Sequence, residues 1–202
     1  MKIKDIFFDI WYRLGKPDWV INEPQPELIK AHEEGYIVGT DIIDIGCGSG
    51  DNSIYLASKG FNVTGVDVSP KAVSISTKKA KANNVVVDFV ALDAFKLSKL
   101  NKKYDMVIDY GLLHQFDGPN LSKYIESIAS ISKNQSKLLL QCFSDQNDQK
   151  EKFGPRLISK PEIERIFSHK WKMEWIYPAV YKSTKNVNYK AWQAYLTYQG
   201  DR

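Results

Sequence analysis

Apolar and polar residues alternate along the chain in blocks that predict strands and helices in turn. The first strand, Asp41–Ile45, is rich in β-branched residues, and glycines follow it from Gly46. Ser69 and Pro70 provide a cap and a first helical residue for a later helix. Strands that alternate with helices predict an α/β fold with a mostly parallel sheet covered on both faces. The remaining predicted strands are 61–67, 85–92, 105–109, 138–143, 171–180 and 188–198, and the predicted helices are 51–59, 71–83, 121–131 and 160–167.

The chain shows no internal repeat and no flexible linker, so we expect one domain over residues 1–202. Residues 1–39 precede the first strand and are rich in aromatic residues and proline. A segment this short cannot build its own core, so we expect a helical cap across the sheet or over its ligand-binding edge. Residues 40–143 form the predicted binding core, and residues 144–202 the substrate side.

The composition is typical of a soluble globular protein, and the charge and cysteine content exclude several kinds of partner. Lys and Arg number 28 and Asp and Glu 24, which gives a net charge of +4, and the basic residues are scattered, so nucleic acid is not an expected partner. Two cysteines, Cys47 and Cys142, are too few for a disulfide framework, and they do not have the spacing of metal ligands. Asp109 and His114 also lack the spacing of a metal site, so we expect no metal. The start of the chain carries acidic residues, and no apolar run approaches the ~20 residues of a membrane span. We therefore expect a cytoplasmic protein that does not insert into membranes.

The most informative motif is the glycine loop Asp44-Ile-Gly46-Cys-Gly48-Ser-Gly50-Asp51, between a predicted strand and a predicted helix. Glycines at this place allow a tight turn and a close approach to a ligand. The dinucleotide fingerprint needs a glycine where Asp51 stands, which argues against a nicotinamide-dependent oxidoreductase. The carboxylates of Asp44 and Asp51 would place negative charge beside a bound diphosphate, which argues against a dinucleotide. They favour a cofactor that carries a cationic centre and an ammonium group.

With Val66-Asp67, Ala91-Leu-Asp93-Ala94 and Tyr104–Asp109 in the following elements, this loop resembles the signature of class I S-adenosylmethionine-dependent methyltransferases over about residues 40–143. The resemblance implies a Rossmann-like sheet whose last strand is antiparallel, and S-adenosylmethionine as cofactor. It places Asp44 at the ammonium group, Asp67 at the ribose hydroxyls and Asp93 at the adenine amino group, although Asp93 also fits a helix cap. The implied cofactor-binding residues are Asp44, Gly46, Cys47, Gly48, Gly50, Asp67, Val68, Asp93, Ala94, Asp109 and Trp19.

The loops after the fourth and fifth strands are expected to line the transfer site. Methyl transfer is an in-line displacement, so protein groups mainly position the reactants. His114 is either a general base or a hydrogen-bonded structural residue, and Cys142 is expected to be buried rather than nucleophilic. The candidate active-site residues are His114, Asp109, Tyr110 and Arg156, with Gly111, Phe116, Phe143 and Ser144 beside them.

A narrower resemblance lies outside the core, in Asp18-Trp19, Pro24–Leu28, Gln141–Asp145 and Gly154–Ser159. These motifs are similar to the thiopurine methyltransferase-like and tellurite-resistance-like branch, from which Lys16–Val20 departs in detail. The branch implies that Trp19 closes over cofactor and acceptor and that Arg156 contacts the acceptor or supports its loop; a surface ion pair is the alternative for Arg156. Trp171, Trp175, Tyr177 and Trp192 are expected in the core of the last two strands.

The expected function is transfer of a methyl group from S-adenosylmethionine to a small molecule. A thiol, a chalcogenide or a heteroaromatic sulfur or nitrogen is the expected acceptor. The alternatives are a quinone-type or other small-molecule O- or C-methyltransferase and a non-catalytic protein that binds S-adenosylmethionine. The acceptor's identity and the oligomeric state are open at this point.

Overall fold

The computed structural model describes residues 3–15, 17–148, 155–184 and 188–200. Seven strands and six α-helices make up this part of the chain. The helices are α1 (Ile3–Leu14), α2 (Pro26–Glu33), α3 (Asp51–Ser58), α4 (Pro70–Ala82), α5 (Gly118–Ser130) and α6 (Lys160–Phe167). The strands are β1 (Asp41–Ile45), β2 (Asn62–Asp67), β3 (Asp88–Ala91), β4 (Tyr104–Tyr110), β5 (Ser132–Phe143), β6 (Trp171–Lys182) and β7 (Asn188–Tyr198).

All seven strands form one sheet in the order β3-β2-β1-β4-β5-β7-β6. The first five strands are parallel, and β7 runs antiparallel to both of its neighbours. The predicted Rossmann-like fold is therefore confirmed. The chain leaves β1 toward β2 on one side and later adds β4 on the other, so a crevice opens at the carboxyl ends of these strands, where such sheets bind ligands.

The core lies on both faces of the sheet because neighbouring strand residues point to opposite sides. Ile43 and Val107 belong to one apolar cluster, with α5 and α6. Ile42 and Met106 belong to the other, with Leu28 of α2. Trp171 and Trp192 lie in the first cluster as predicted, whereas Trp175 stays half-buried on the opposite face.

The largest differences between the observed and the predicted strands are at the starts of β5 and β3, while the bounds of β2, β4 and β6 differ by one or two residues. β5 begins at Ser132, six residues before the predicted start, because Ser132 already pairs with Tyr104 across an irregular stretch of polar residues in which Gln135 has a φ of 68°. β3 begins later than predicted, because the chain turns at Asn84 and leaves Val86 93% exposed. The hydrophobic pattern alone predicts a loop for the first residues of β5 and a strand for the residues just before β3.

The described residues that precede β1 fold against two parts of the core. Helix α1 packs against α4, and α2 packs on the sheet face that carries Ile42. Between them, Gln25 forms two side-chain hydrogen bonds with the backbone of Lys182 in the edge strand β6, at 3.0 and 3.1 Å. Among the described residues, no helix is both long and apolar enough to cross a bilayer.

Candidate cofactor and active site

The glycine loop leaves β1 and folds back over the end of β2. Gly46, Gly48 and Gly50 have φ values of 74°, 55° and 81°, in the left-handed region that favours glycine. The amides of Gly46 and Cys47 both donate to the carbonyl of Val66, at 2.7 and 3.0 Å. The loop is thus held against β2 with its backbone facing the crevice.

Asp67, at the end of β2, joins the loop to the start of α4. One carboxylate oxygen accepts the amide of Gly48 at 2.9 Å, and the other accepts the amide of Ser69 at 2.8 Å. Burial raises the pKa of Asp67 to about 6, although these hydrogen bonds oppose the shift. Each oxygen retains lone pairs, so the carboxylate can also accept hydrogen bonds from a diol.

Asp44 lies at the base of the crevice and is 2% exposed. The hydroxyl of Ser53 donates to its carboxylate at 2.6 Å. Burial raises the pKa of Asp44 to about 7, and the nearby carboxylates of Asp109, Asp67 and Asp51 contribute in the same direction. A cation in the crevice would relieve this repulsion, so the carboxylate cluster fits a cofactor with an ammonium group and a positively charged sulfur.

Cofactor affinity is expected to rise with pH between about 6 and 8. A cationic ligand favours the ionised forms of Asp44 and Asp67, whose pKa values in the protein alone are about 7 and 6, so binding releases protons in this range. Calorimetric titration with S-adenosylhomocysteine measures the dependence. 5′-Methylthioadenosine, which has no ammonium group, is the control and should show a flatter profile; equal pH profiles for the two ligands would contradict the interpretation.

Asp44 also affects the stability of the protein without ligand. Because the pKa of Asp44 lies above its ordinary value of 3.8, the folded chain binds more protons than the unfolded chain between about pH 4 and 7. The contribution of Asp44 to the free energy of unfolding therefore falls as the pH rises through this range. In Asp44→Asn, the free energy of unfolding should therefore fall less as the pH rises through this range.

The crevice contains about 440 Å³ of empty volume, including the part that opens to solvent. Its walls are acidic and aromatic, and no Lys, Arg or His is among the described residues that line it. Lys79 and Lys182 form ion pairs with two of its acidic residues, Asp51 and Glu23. The lining residues are Tyr12, Trp19, Ile21, Glu23, Gln25, Asp44, Gly46, Cys47, Gly48, Ser49, Asp51, Asn52, Tyr110 and Tyr181.

Helix α1 and the residues after it cover one side of this crevice. Trp19, predicted as a closing residue, donates its indole N–H to the hydroxyl of Tyr12 at 2.9 Å. Asp9 fixes the helix by accepting the hydroxyl of Ser69 at 2.7 Å and the amide of Lys71 at 3.0 Å. Burial opposes ionisation of Asp9, but these bonds and Arg13 lower its pKa to about 2, so the attachment persists at neutral pH.

Asp109 and Tyr110 follow each other in β4 but face different surroundings. Asp109 is fully buried and accepts the amides of Leu112 and Leu113 at 2.8 and 3.1 Å, and the hydroxyl of Tyr124 at 2.9 Å. Burial raises its pKa to about 6. Asp109 therefore holds the loop after β4, whereas Tyr110 lines the crevice.

His114 belongs to this loop, in the short 3₁₀ turn Leu113–Gln115, and is 4% exposed. Its ring stacks on Phe143 with centroids 4.4 Å apart, and its Nδ1 accepts the amide of Phe143 at 3.3 Å. Burial lowers the pKa of His114 to about 3, so the ring is neutral. This arrangement favours the structural alternative for His114 over the general base.

Arg156 supports the same loop. It donates to the carbonyl of Phe116 at 3.3 Å and forms an ion pair with Glu162. Its backbone amide also donates to the carbonyl of His114 at 3.2 Å. Of the three predicted roles, these bonds favour support of the loop over contact with the acceptor, and the predicted ion pair is present in a half-buried form with Glu162.

The residues predicted at the adenine end lie beyond the described crevice lining. Asp93 accepts the amide of Phe95 at 2.9 Å and caps the short 3₁₀ segment Ala94–Leu100, as its cap alternative predicts. Val68 and Ala94 are half-buried and leave part of their surface for a ring. The adenine contacts stay predictions.

Neither cysteine has the properties of a nucleophile. Cys142 is fully buried in the sheet, and burial raises the pKa of its thiol. Cys47 belongs to the loop, and burial together with Asp44 and Asp67 raises the pKa of its thiol well above the ordinary value. Among the described residues, no three His, Cys, Asp or Glu side chains are grouped as metal ligands.

Comparisons with known proteins agree with this geometry. A family model described as a methyltransferase domain matches residues 42–135. The 2-heptyl-1-hydroxyquinolin-4(1H)-one methyltransferase of Mycobacteroides abscessus is 28% identical over 166 residues, 82% of this chain and 73% of that protein. An uncharacterized methyltransferase of Schizosaccharomyces pombe is 31% identical over 121 residues, 60% of this chain and 79% of that protein. A structure solved in work on the conversion of a disulfide bond into a thioacetal group during echinomycin biosynthesis has a TM-score of 0.87 and 26% identity, covering 96% of this chain and 93% of that one.

Proposed function

The chain belongs to the S-adenosylmethionine-dependent methyltransferases, and on this premise we propose that its acceptor is a small thiol, chalcogenide or heteroaromatic sulfur or nitrogen. One observation carries the proposal: among the described residues, the crevice offers no group placed to remove a proton from a weak acid. An acceptor must then reach the cofactor as a nucleophile in its own right, which thiols and selenols do near neutral pH.

The titratable groups around the crevice support this reasoning. Burial raises the pKa values of Tyr110 and Tyr181 further above the ordinary value for tyrosine, so both stay protonated at neutral pH. Asp51 and Glu23 are held in ion pairs with lysines. Asp44 accepts a hydrogen bond from Ser53, and a positively charged cofactor beside it would lower its raised pKa and its capacity to take a proton.

Aromatic walls supply the second argument. Trp19, Tyr110 and Tyr181 present rings to the crevice, and ring faces suit flat or polarisable acceptors while excluding water. Ring faces also attract cations, including a sulfonium. One structural neighbour is named for disulfide chemistry, which supports a sulfur acceptor. One relative is named for a hydroxyquinolone, a flat heteroaromatic compound whose free nucleophilic atoms are oxygens, so it agrees with a flat acceptor but also with the O-methyltransferase alternative.

The mechanism that follows is positioning rather than acid–base chemistry. Bound S-adenosylmethionine supplies an electrophilic methyl group on a positively charged sulfur. Asp44 balances the positive charge of the amino-acid end, and Asp67 orients the ribose through its hydroxyls. Tyr110 and Tyr181 confine the acceptor. Asp109 holds the loop that follows Tyr110 through its hydrogen bonds with the amides of Leu112 and Leu113.

The narrower assignment to the thiopurine methyltransferase-like and tellurite-resistance-like branch is also a proposal. Trp19 against the crevice and Arg156 beneath the acceptor-side loop support it. Lys16 and Gly154, which belong to the motifs behind this assignment, lie outside the described residues.

A matched pair of acceptors tests the proposed function. With labelled methyl donor, we expect thiophenol to be methylated at least about a hundredfold faster in kcat/KM than phenol, because general-base help worth about that factor is missing. 1-Hydroxyquinolin-4(1H)-one and a catechol extend the panel. A preference for phenol or catechol over thiophenol would overturn the proposal in favour of a quinone-type O-methyltransferase.

A further inference from the structure

We propose that two neutral hydrogen-bond donors, the hydroxyl of Tyr12 and the side-chain amide of Asn52, bind the carboxylate of the cofactor's amino-acid moiety in place of a cation. The inference rests on the cofactor and not on the proposed acceptor. It assigns a recognition role to one residue of the N-terminal helix and one residue of the core.

Tyr12 places a hydroxyl directly over the glycine loop. A Cβ atom built on Gly48 would lie 2.6 Å from the Tyr12 oxygen. That oxygen already accepts the indole N–H of Trp19, and among the described residues no acceptor lies within hydrogen-bond distance of its proton. Tyr12 is 6% exposed and lines the crevice, so its hydroxyl can donate this proton to a bound ligand.

Asn52, in the first turn of α3, has a similar arrangement of hydrogen bonds. Its Oδ1 accepts the backbone amide of Gln25 at 2.9 Å, which fixes the orientation of the side-chain amide. Among the described residues, its Nδ2 has no hydrogen-bond partner, and Asn52 lines the same crevice. Both residues therefore have their acceptor atoms in use within the protein and their donors available.

The charges around the crevice explain why the donors are neutral. Asp44, Asp51 and Glu23 already provide the negative charge that an ammonium and a sulfonium require. A carboxylate on the same ligand still needs hydrogen-bond donors, and no described Lys, Arg or His lines the crevice. The hydroxyl of Ser49 does not serve, because it donates to Asp51 at 2.6 Å. The hydroxyls of Tyr110 and Tyr181 also line the crevice, and Tyr181 lies against Gly111 in the loop after β4. Tyr12 lies against Gly48, and Asn52 directly follows the glycine loop in α3, so these two are the donors beside that loop.

Burial keeps Tyr12 in its donating form. Desolvation raises the pKa of its phenol well above the ordinary value, and the carboxylate of Asp67 contributes in the same direction. Asp9 fixes the helix that carries Tyr12 through its bonds to Ser69 and Lys71. The donor is thus positioned before the ligand arrives, which reduces the entropic cost of binding.

Binding of two ligands tests the proposal without any acceptor. S-adenosylhomocysteine carries the carboxylate, and its decarboxylated analogue keeps the ammonium group but lacks the carboxylate. The wild-type protein should bind the first at least about tenfold more tightly, as expected for hydrogen bonds to a charged group. In Tyr12→Phe this preference should shrink at least about threefold, while the affinity for the decarboxylated analogue should be nearly unchanged.

Asn52→Asp is the second variant, and it preserves the structural contact. An aspartate keeps the oxygen that accepts the Gln25 amide but replaces the donor with a carboxylate. The preference should then reverse, with the decarboxylated analogue bound more tightly. Equal weakening of both ligands by Tyr12→Phe, or an unchanged preference in Asn52→Asp, would overturn the proposal. Neither result depends on which acceptor is methylated.

Discussion

Replacing Asp67 with alanine is expected to weaken S-adenosylhomocysteine binding at least about tenfold, because a carboxylate that accepts two hydroxyl donors contributes through charge-assisted hydrogen bonds. The variant also loses the acceptor for the amides of Gly48 and Ser69, which join the loop to α4. Calorimetric titration measures the loss. Asp88→Ala, which removes an exposed carboxylate from the neighbouring strand, is the control and should bind as the wild type does.

A deoxy ligand separates the two roles of Asp67. The wild type should bind 2′-deoxy-S-adenosylhomocysteine more weakly than the parent compound, and Asp67→Ala should bind the two alike. If the variant distinguished the two ligands as strongly as the wild type, Asp67 would act only by holding the loop, and the ribose assignment would be wrong.

Gly50→Ala is expected to lower the free energy of unfolding by about 2–4 kcal/mol, which corresponds to a drop in Tm of about 5–15 °C for a chain of this size. Gly50 has a φ of 81°, and a Cβ atom there would lie 2.6 Å from Cβ of Ser76 and 2.7 Å from the Phe89 ring. Strain and steric overlap therefore act together at the point where the loop enters α3. Cofactor binding should fall as well, because the loop must shift.

Gly60→Ala is the matched control for this substitution. Gly60 has a similar φ of 91°, but nothing lies within 4 Å of a Cβ atom placed there. It should cost only the backbone strain, about 1–2 kcal/mol. Thermal unfolding of the two variants thus isolates the effect of the contacts between the loop, α4 and β3. Equal losses in both variants would show that these contacts do not matter.

The parts of the fold that sequence predicts best are those with a strong local signal. β1, α6 and β7 match their predicted bounds, because a β-branched run, a Ser-Lys-Pro start and an aromatic strand each specify structure over a few residues. β5 was predicted too short because its first residues are polar, and pairing with β4 extends it regardless of hydrophobicity. The hydrophobic pattern indicates which side chains are buried, whereas the length of a strand depends on its pairing with the neighbouring strand.

The candidate site divides along the same line. The glycine loop and Asp67 are contiguous with the strands that position them, and the motif identifies them. Tyr12, Asn52 and Tyr181 reach the crevice from three separate elements, and no local motif marks them. The signal for Asn52 is its position two residues after the last loop glycine, but only the three-dimensional contact with Gln25 shows that its amide is free to donate.

The N-terminal segment also affects how this chain must fold. Gln25 bonds to Lys182, 157 positions later, and the amide of Thr184 donates to the carbonyl of Asp18 across 166 positions. During synthesis, Trp19 and its aromatic neighbours emerge well before β6, whose end supplies these contacts. Contacts over such separations form slowly, and exposed aromatic surface in the interval favours aggregation. The residues that cover the crevice thus lack their final contacts until β6 has been made.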